Sequence, residues 1–379
     1  MSANVALSFF DHFHSLQEPR VERTKLHPLS NIVFIAVCAL LGGANDFVGM
    51  QKFGTSKRAW FEKYLDLAQG IPSHDTFGRV IGALNPQQFI ECFVNWVQAF
   101  ASTASGRLVA IDGKTARASL DRKAGQNPLH VVSAWGREAR LVLGQVAVAE
   151  KSNEITAIPQ LLELLELSGA VVTIDAMGCQ KEIASKIRER GADYVLAVKG
   201  NQEHLQEDII DHFATLDESA ESGRRTGEAP IWTTIDNSHG RKERRYSVAA
   251  PVPDCLRGRD EWKDLRSICR VTRVYEERGT SKSEVRYFIS SLPADARQLG
   301  AAVRGHWSVE NGLHWILDMA FGEDRSRARK DHAQENMALL RRWAVSLLRQ
   351  DTTMVGSVEK KRLMAGWNEN NLEKLLGLF

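Results

Sequence analysis

The sequence predicts an α/β core, interrupted by a β-rich insertion and preceded by an all-helical amino-terminal domain. Three observations support this fold class. Up to about residue 105, apolar residues recur with helical spacing between glycine and proline breaks. From Arg107 onward, short β-branched runs bounded by turn residues alternate with helical periodicity, which is typical of strands and helices in alternation. Two of the apolar runs end in a carboxylate, at Asp112 and at Asp175.

The amino-terminal region is predicted to contain four helices. They are an apolar helix from Ile32 to Gly42-Gly43, a helix over Ser56–Leu67, one from Ser73 to about Leu84, and one that starts at Asn85-Pro86. Ser73 is a typical N-cap, and Pro86 suits the first helical position. Helices joined by a glycine-containing turn fit a helix-turn-helix DNA-binding domain or an oligomerisation domain, and the sequence favours neither.

After Arg107 the predicted order is strand, strand, strand, helix, strand, helix, strand. The strands are Arg107–Asp112, Leu129–Trp135, Arg140–Val148, Ala170–Asp175 and Asp193–Lys199, and the helices are Ile155–Leu167 and Lys181–Arg190. This order is ribonuclease H-like, with Asp112 on the first strand and Asp175 on the fourth. A carboxylate at a strand end emerges at the sheet edge, where α/β folds bind their ligands.

The segment from 203 to 292 interrupts this alternation and is predicted to be a β-rich insertion. It contains a helix over Glu207–Ala214, a mobile polar loop over Glu218–Glu228, and strands at Ile231–Ile235, Tyr246–Val252, Leu265–Tyr275 and Ser283–Ser290. A closing helix is predicted at Gln334–Arg349. The predicted domains are 1–105 (helical), 106–202 with 293–350 (core), 203–292 (insertion) and 351–379 (carboxy-terminal tail).

Asp112, Asp175 and Glu310 are the candidate catalytic and metal-binding residues. Glu310 lies in the helical segment His306–Asn311, so the three carboxylates come from three separate elements. Such a set of hard oxygen ligands can hold two Mg²⁺ ions, with Mn²⁺ as a substitute, and leave positions open for phosphate and water. The structural alternative is that each Asp caps a turn and that the Glu is solvated.

Several longer words occur in a fixed order along the chain. They are Glu18–Arg20, Pro72–Phe77, Ile111–Lys114, Ile174–Gln180, Tyr194–Gln202, His306–Trp315 and Phe321–Arg327. Together they resemble the DDE transposases of bacterial insertion sequences, specifically the H-repeat-associated branch. The resemblance implies that Asp112, Asp175 and Glu310 are the metal-binding triad. It also implies that the amino-terminal region binds transposon ends, and that the partners are double-stranded DNA and a second copy of the chain in a paired-end complex.

The sequence departs from the wider transposase superfamily around Glu310. The superfamily has the signature Tyr-x2-Arg-x3-Glu-x6-Lys. When its Glu is aligned with Glu310, this sequence has Val303 in place of the Tyr, His306 in place of the Arg and Leu317 in place of the Lys. His306, or the nearby Arg304, is the candidate for the missing phosphate contact. An alternative is a zinc site of His306, Glu310 and His314, which recur every fourth residue, although the His-Glu-x-x-His pattern of helical zinc proteases is absent.

Two basic clusters are candidate DNA contacts. One, with Arg241, Lys242, Arg244 and Arg245, is predicted on a turn between two strands of the insertion, and the other, with Arg325 and Arg327, follows Glu310. Basic side chains near a metal site can hold phosphates in register. The alternative is that both clusters are solvated faces.

Other candidate DNA contacts come from tryptophans and from polar residues that follow strands. Trp307, Trp232 and Trp315 can stack on unpaired bases, although the apolar surroundings of Trp315 favour a core position. Lys199, Asn201 and Gln202, together with Lys114 beside Asp112, can contact phosphates or bases. The alternative for these polar residues is that they close a loop.

Composition limits the remaining possibilities. A net charge of +2 means that any DNA-binding surface must come from local clustering of basic residues. The five cysteines have no paired spacing, so neither a disulfide framework nor a zinc ribbon is predicted, and a reducing cytoplasm is the expected compartment. The apolar run Ile32–Leu41 is too short to span a bilayer.

The function favoured by the sequence is DNA transposition: cleavage of transposon ends and their joining to target DNA by two-metal phosphoryl transfer. Two alternatives stay open. One is a ribonuclease H-like nuclease without strand transfer. The other is a non-catalytic DNA-binding derivative of a mobile element.

Overall fold

The chain forms two units in a computed structural model that describes residues 11–100, 107–120, 127–148, 154–221, 231–237, 243–277 and 280–377. The first unit comprises Met1–Thr103, Gly113–Asn153 and Val309–Phe379. The second comprises Ala104–Asp112 and Glu154–Ser308. Each unit is described by itself below.

The elements are numbered in chain order. The strands are β1 (Leu108–Thr115), β2 (His130–Gly136), β3 (Leu141–Val148), β4 (Val171–Ile174), β5 (Asp193–Val198), β6 (Trp232–Asp236), β7 (Glu243–Pro251), β8 (Ser267–Glu277) and β9 (Thr280–Ser290). The helices are α1 (Leu29–Leu41), α2 (Phe47–Ser56), α3 (Arg58–Phe61), α4 (His74–Ala83), α5 (Pro86–Phe100), α6 (Glu154–Leu164), α7 (Lys181–Glu189), α8 (Glu203–Glu221), α9 (Ala296–His306), α10 (Trp315–Met319), α11 (Ala333–Gln350), α12 (Val358–Trp367) and α13 (Glu369–Leu376). A π-helical turn, Glu310–His314, precedes α10.

The amino-terminal helices of the first unit follow local signals in the sequence. α1 is buried on all sides from Asn31 to Leu41, as expected for a helix that is apolar all round, and it ends at Gly42 as predicted. The predicted starts of α4 and α5 are also confirmed. The Ser73 hydroxyl accepts a hydrogen bond from the Thr76 amide, and Asn85 Oδ1 accepts one from the Gln88 amide.

The second predicted helix, Ser56–Leu67, was too long, because the structure has only the short α3 within it, and the helix α2 before it was not predicted. α2 spans Phe47–Ser56, and the short α3 follows it. The Asp46 carboxylate accepts a hydrogen bond from the Gly49 amide at 2.7 Å, so it caps the start of α2.

The second unit is built on a sheet whose strands lie in the order β1-β4-β5-β9-β8-β7-β6. β1, β4 and β5 are parallel, and the other pairs are antiparallel. The four strands predicted for the insertion are present. They extend this same sheet, because β9 pairs with β5.

In the first unit, β2 and β3 pair as an antiparallel hairpin, which confirms the predicted strands and their short loop. Arg140 ends the loop with φ of 52°, the left-handed conformation that such tight connections require. Along the chain the elements follow the predicted order of three strands, helix, strand, helix and strand. The core therefore has the ribonuclease H-like element order, preceded by a helical amino-terminal region.

Three further predictions concern the loop in the insertion, the carboxy-terminal tail and the domain boundaries. α8 continues to Glu221, so the start of the predicted loop Glu218–Glu228 is helical and the rest of it lies outside the described residues. The predicted carboxy-terminal tail contains α12 and α13, which are capped by Ser357 and Asn368. The predicted domain boundaries stay a prediction. Over the ranges that the structure describes, no helix is both long and apolar enough to cross a membrane.

Candidate active site

Asp112 and Asp175 lie at the same edge of the parallel strands in the second unit. The residues before them, Ile111 on β1 and Ile174 on β4, are register partners. Adjacent strands lie about 4.8 Å apart, so this register sets the two carboxylates side by side. Both residues are half-buried. β4 ends at Ile174, one residue before the predicted end at Asp175, whereas β1 continues through Asp112 to Thr115, so the predicted end of the first strand at Asp112 was wrong.

The turn after Asp175 is held by that residue's own carboxylate. Asp175 Oδ1 accepts a hydrogen bond from the Met177 amide at 3.0 Å and caps the 3₁₀ turn Ala176–Gly178. This is the turn-capping contact of the structural alternative. It occupies one of the two carboxylate oxygens, so it also fixes the direction of the carboxylate and is compatible with a metal-binding role.

Two side chains that follow β5 brace the same turn. The Asn201 amide donates a hydrogen bond to the Ala176 carbonyl at 2.7 Å, and the Gln202 amide donates one to the Cys179 carbonyl at 2.9 Å. These are the contacts of the loop-closing alternative for both residues. Lys199, just before them, is exposed. DNA contacts by these three residues stay a prediction.

The end of α9 is joined to β4 by a side-chain contact. His306 Nδ1 lies 3.0 Å from Thr173 Oγ1, and Thr173 is two residues before Asp175. The neighbouring Arg304 donates to the Asp236 carboxylate at 2.8 Å. The α-helix ends at His306 and the π-helical turn starts at Glu310, so the continuous helical face that the zinc alternative requires is interrupted.

Glu310 lies in the first unit, as the first residue of the π-helical turn. Its side chain is half-exposed, and its Oε2 lies 3.7 Å from Nδ1 of the buried His314. The turn packs closely on β2, because a Cβ added at Gly312 would lie 2.8 Å from the Trp135 ring. Single π-helical turns are frequent at functional sites. The sequence predicts a helix here and contains no signal for the π geometry.

Lys114 has a structural environment that its position in the sequence does not reveal. Its buried ammonium lies 2.7 Å from Asp318, 3.3 Å from Asp324 and 3.7 Å from Glu323. Three carboxylates compensate this charge inside the first unit. The predicted contact of Lys114 with DNA therefore has no support in the structure.

Glu323 is the centre of this buried group. Its carboxylate accepts a hydrogen bond from Arg342 Nη1 at 2.7 Å, and Arg342 Nε also donates to Ser133 Oγ at 3.0 Å. Burial raises the pKa of Glu323, but the charges of Arg342, Arg341 and Lys114 outweigh burial, so its pKa lies below the usual value. The carboxylate is therefore held in its charged form.

The basic cluster of the insertion differs from its prediction. Arg241 and Lys242 lie outside the described residues, whereas Arg244 and Arg245 lie within β7 and not on a turn. Arg244 is exposed, but Arg245 is paired with Glu243. Burial, followed by the neighbouring charges of Arg304 and Arg273, lowers the pKa of Arg245 to about 10. The prediction of a common turn for these residues was wrong for the two that the structure describes.

The three candidate tryptophans differ in their exposure to solvent. Trp315 is 58% exposed, so its predicted core position was wrong; Ile316 and Leu317 take the buried face of α10. Trp307 is 38% exposed, with the guanidinium carbon of Arg286 4.8 Å from its ring centre. Trp232 is half-buried against Gly300. Arg325 and Arg327 are exposed in the first unit.

Comparison with known proteins places the chain in a family. Residues 103–347 match the family described as Transposase DDE domain, and residues 10–97 match the family described as DDE_Tnp_1-associated. "Putative transposase YncI" of Escherichia coli O157:H7 is 38% identical over 97% of this chain and 94% of its own length. "H repeat-associated putative transposase YhhI" of Escherichia coli K12 is 37% identical over 92% of both chains.

Among solved structures, a synaptic complex of the piggyBac transposase with hairpin DNA is similar at 11% identity and a TM-score of 0.43, covering 98% of this chain and 77% of that chain. That likeness is too weak to support an inference. The family match spans well over half of the chain, and the relatives match it almost from end to end. The chain therefore belongs to the Transposase DDE domain family.

Proposed function

We propose that this protein is a DNA transposase that cleaves transposon ends and joins them to target DNA, with Asp112, Asp175 and Glu310 as metal ligands. The observation that carries the proposal is the register of Ile111 with Ile174, because it sets two carboxylates side by side at one edge of a parallel sheet. Membership of the Transposase DDE domain family supports the same function.

The donor set suits a hard divalent cation. Asp112, Asp175 and Glu310 offer carboxylate oxygens, which are the ligands that Mg²⁺ and Mn²⁺ prefer. Bound there, such ions would activate a water or a DNA 3′-hydroxyl for attack on phosphorus and stabilise the leaving oxygen. Both aspartates are half-buried, so neither belongs to the apolar core. Their positions suit the binding of an ion better than a role in core packing.

The surrounding residues hold Asp175 in place. The Met177 amide fixes the direction of Asp175, and the amides of Asn201 and Gln202 brace the turn that contains it. The contact between His306 and Thr173 ties the end of α9 to β4. Residues whose positions are fixed by such supporting contacts lose little energy to reorganisation when the reaction begins.

A cleavage and joining assay tests the proposal. The substrates are a labelled duplex from the DNA that flanks the gene and a supercoiled plasmid, with Mg²⁺, Mn²⁺ or EDTA. Wild-type protein should cut and join only with a divalent ion. Asp112→Asn, Asp175→Asn and Glu310→Gln should lose cleavage and keep DNA binding, whereas Asp211→Asn, at an exposed carboxylate on α8, should behave as wild type.

Each other outcome has a distinct meaning. Cleavage without joining would favour the nuclease alternative. Tight DNA binding without cleavage under any metal condition would favour the non-catalytic derivative. Cleavage retained by one triad variant would refute the role of that residue as a ligand.

We further propose that two copies of the chain act together in a paired-end complex. One chain carries one set of the three acids, so two copies would supply one set for each of two transposon ends. The mass of the complex in solution, measured with and without the end duplex, tests this. A single chain per duplex at saturating DNA would contradict it.

A further inference from the structure

A large basic cavity lies within the first unit. Its volume is about 1220 Å³, and it lies between the amino ends of α2 and α4 and the segment 322–341. Six cationic side chains line it: Arg79, Arg325, Arg327, Arg329, Lys330 and Arg341. Small-molecule pockets usually measure about 300–1,000 Å³, so this cavity suits a larger ligand.

Four of these cations face the cavity without a carboxylate partner. Arg79, Arg325, Arg327 and Lys330 are exposed, and none forms an ion pair with any other residue that the structure describes. Elsewhere in the chain arginines are commonly paired, as Arg257 is with Asp208 and Arg270 with Asp217. Uncompensated positive charges that share one concave surface repel each other and attract an anion with several charges.

The other two cations hold the walls of the cavity. Arg341 is buried, and its guanidinium donates to Ser326 Oγ at 2.9 Å and to the Asn45 carbonyl at 3.4 Å, so it links the two sides. Arg329 donates to the Ala118 carbonyl at 2.8 Å. The cavity therefore has a built frame, and the four exposed cations are left to contact a ligand.

Two acidic residues also line the cavity, but they do not neutralise it. Asp46 is engaged as the N-cap of α2 through the Gly49 amide. Asp75 is exposed, and one of its oxygens lies 3.4 Å from His74 Nε2. Four exposed cations against two exposed carboxylates, one of which caps α2, leave a net positive surface, beside the amino end of α4 where the helix dipole also favours anions.

We propose that this cavity binds the sugar–phosphate backbone of duplex DNA, and that it positions the transposon end. The proposal rests on the proposed function and adds a binding site to it. Guanidinium groups suit phosphate oxygens, and contacts of this kind set the register of a protein on DNA without reading its sequence. Arg79 belongs to the amino-terminal helices and the other three cations follow Glu310, so both regions hold one stretch of backbone.

Fluorescence anisotropy with the full chain tests the proposal. The probes are a labelled duplex from the flanking DNA and a labelled duplex of unrelated sequence, titrated over a range of salt concentrations. The test variant changes Arg79, Arg325, Arg327 and Lys330 to Ala. The matched control changes Lys63, Arg137, Lys360 and Lys374 to Ala, which removes four positive charges from exposed residues of the same unit outside the cavity.

The cavity variant should lose affinity for both duplexes, on the order of tenfold or more at moderate salt. Its slope of log affinity against log salt should become shallower by up to about 3.6, which is about 0.9 for each of four phosphate contacts. The control should keep the wild-type slope. A variant with Lys at all three arginine positions should also keep it, because the charges remain.

Equal losses in the cavity variant and the control would show a general charge effect and overturn the proposal. An unchanged slope in a folded cavity variant would overturn it as well. Cleavage measured at saturating DNA separates this result from the proposed function. If wild type cuts no DNA but the cavity variant binds DNA more weakly than the control, the proposed function is wrong and the cavity is still a DNA-binding site. If wild type cuts DNA but the two variants bind it equally well, the proposed function stands and the cavity proposal is wrong.

Discussion

The π-helical turn that contains Glu310 can lie close to β2 because residue 312 is a glycine. Gly312→Ala tests how much this close packing matters. An added Cβ would lie 2.8, 3.0 and 3.2 Å from three atoms of the Trp135 ring. Ordinary contacts between carbon atoms are about 3.5–4.0 Å, so at least one neighbour has to move by roughly half an ångström or more. Trp135 is almost completely buried, so the turn is the part with more freedom to move.

The expected cost follows from this geometry. Overpacking of this kind costs about 1–3 kcal/mol of unfolding free energy. If the turn moves instead, Glu310 is displaced, and a misplacement of about 1 Å can lower the rate of a catalysed reaction by as much as about 10²-fold. The variant should therefore lose stability, cleavage rate or both, and keep its affinity for DNA.

Denaturant unfolding and metal-dependent cleavage under single-turnover conditions measure the two effects. Gly200→Ala is the control, because a Cβ there would meet no atom within 4 Å. Combining Gly312→Ala with Trp135→Phe should recover part of the loss, since the smaller ring relieves the overlap. If Gly312→Ala has the same stability and cleavage rate as Gly200→Ala, the close packing of the turn on Trp135 is not important for either property.

Three further predictions concern stability and the turn after Asp175. Glu323→Ala leaves the buried guanidinium of Arg342 without its carboxylate partner, so the free energy of unfolding should fall by about 3–5 kcal/mol. In wild type, folding lowers the pKa of Glu323. The stability that this carboxylate contributes should therefore be present above pH 4.5 and be lost as the pH falls further. Burial, followed by a hydrogen bond to Glu373, raises the pKa of Tyr64 from 10.0 to about 12, so stability should decline between these pH values in thermal melts. Tyr64→Phe should make this decline smaller, while Tyr194 and the buried cysteines, whose pKa values burial also raises, should account for the rest. Asn201→Ala removes the 2.7 Å hydrogen bond to the Ala176 carbonyl, so it should slow cleavage on the order of tenfold and leave the salt dependence of DNA binding unchanged. A shallower slope of log affinity against log salt would show instead that Asn201 contacts DNA.

Much of the fold could be predicted from the sequence because its signals are local. The β-branched runs before Asp112 and Asp175 form strands β1 and β4, and Ser73 and Asn85 start helices through their own side chains. Such contacts involve residues a few positions apart, so a pattern in the sequence is sufficient to identify them.

The features that could not be predicted depend on contacts between distant parts of the chain. Lys114 is next to a candidate ligand in sequence, but its partners, Asp318 among them, are brought to it only by folding. The π-helical turn coincides with the packing of Gly312 on Trp135, which helical periodicity does not encode. In the same way, Arg79 is an ordinary exposed helical residue until the fold sets it beside Arg325 and Arg327.

The proposed role of Asp112, Asp175 and Glu310 as ligands of divalent metal ions can be measured directly. Titration of Mn²⁺ into the protein–DNA complex, followed by electron paramagnetic resonance, measures this binding without depending on cleavage. Wild type should bind two ions per active site at low free Mn²⁺, and Asp175→Asn should bind fewer or bind them much more weakly while still holding the DNA. Equal Mn²⁺ binding by the two proteins, in stoichiometry and in affinity, would contradict the account.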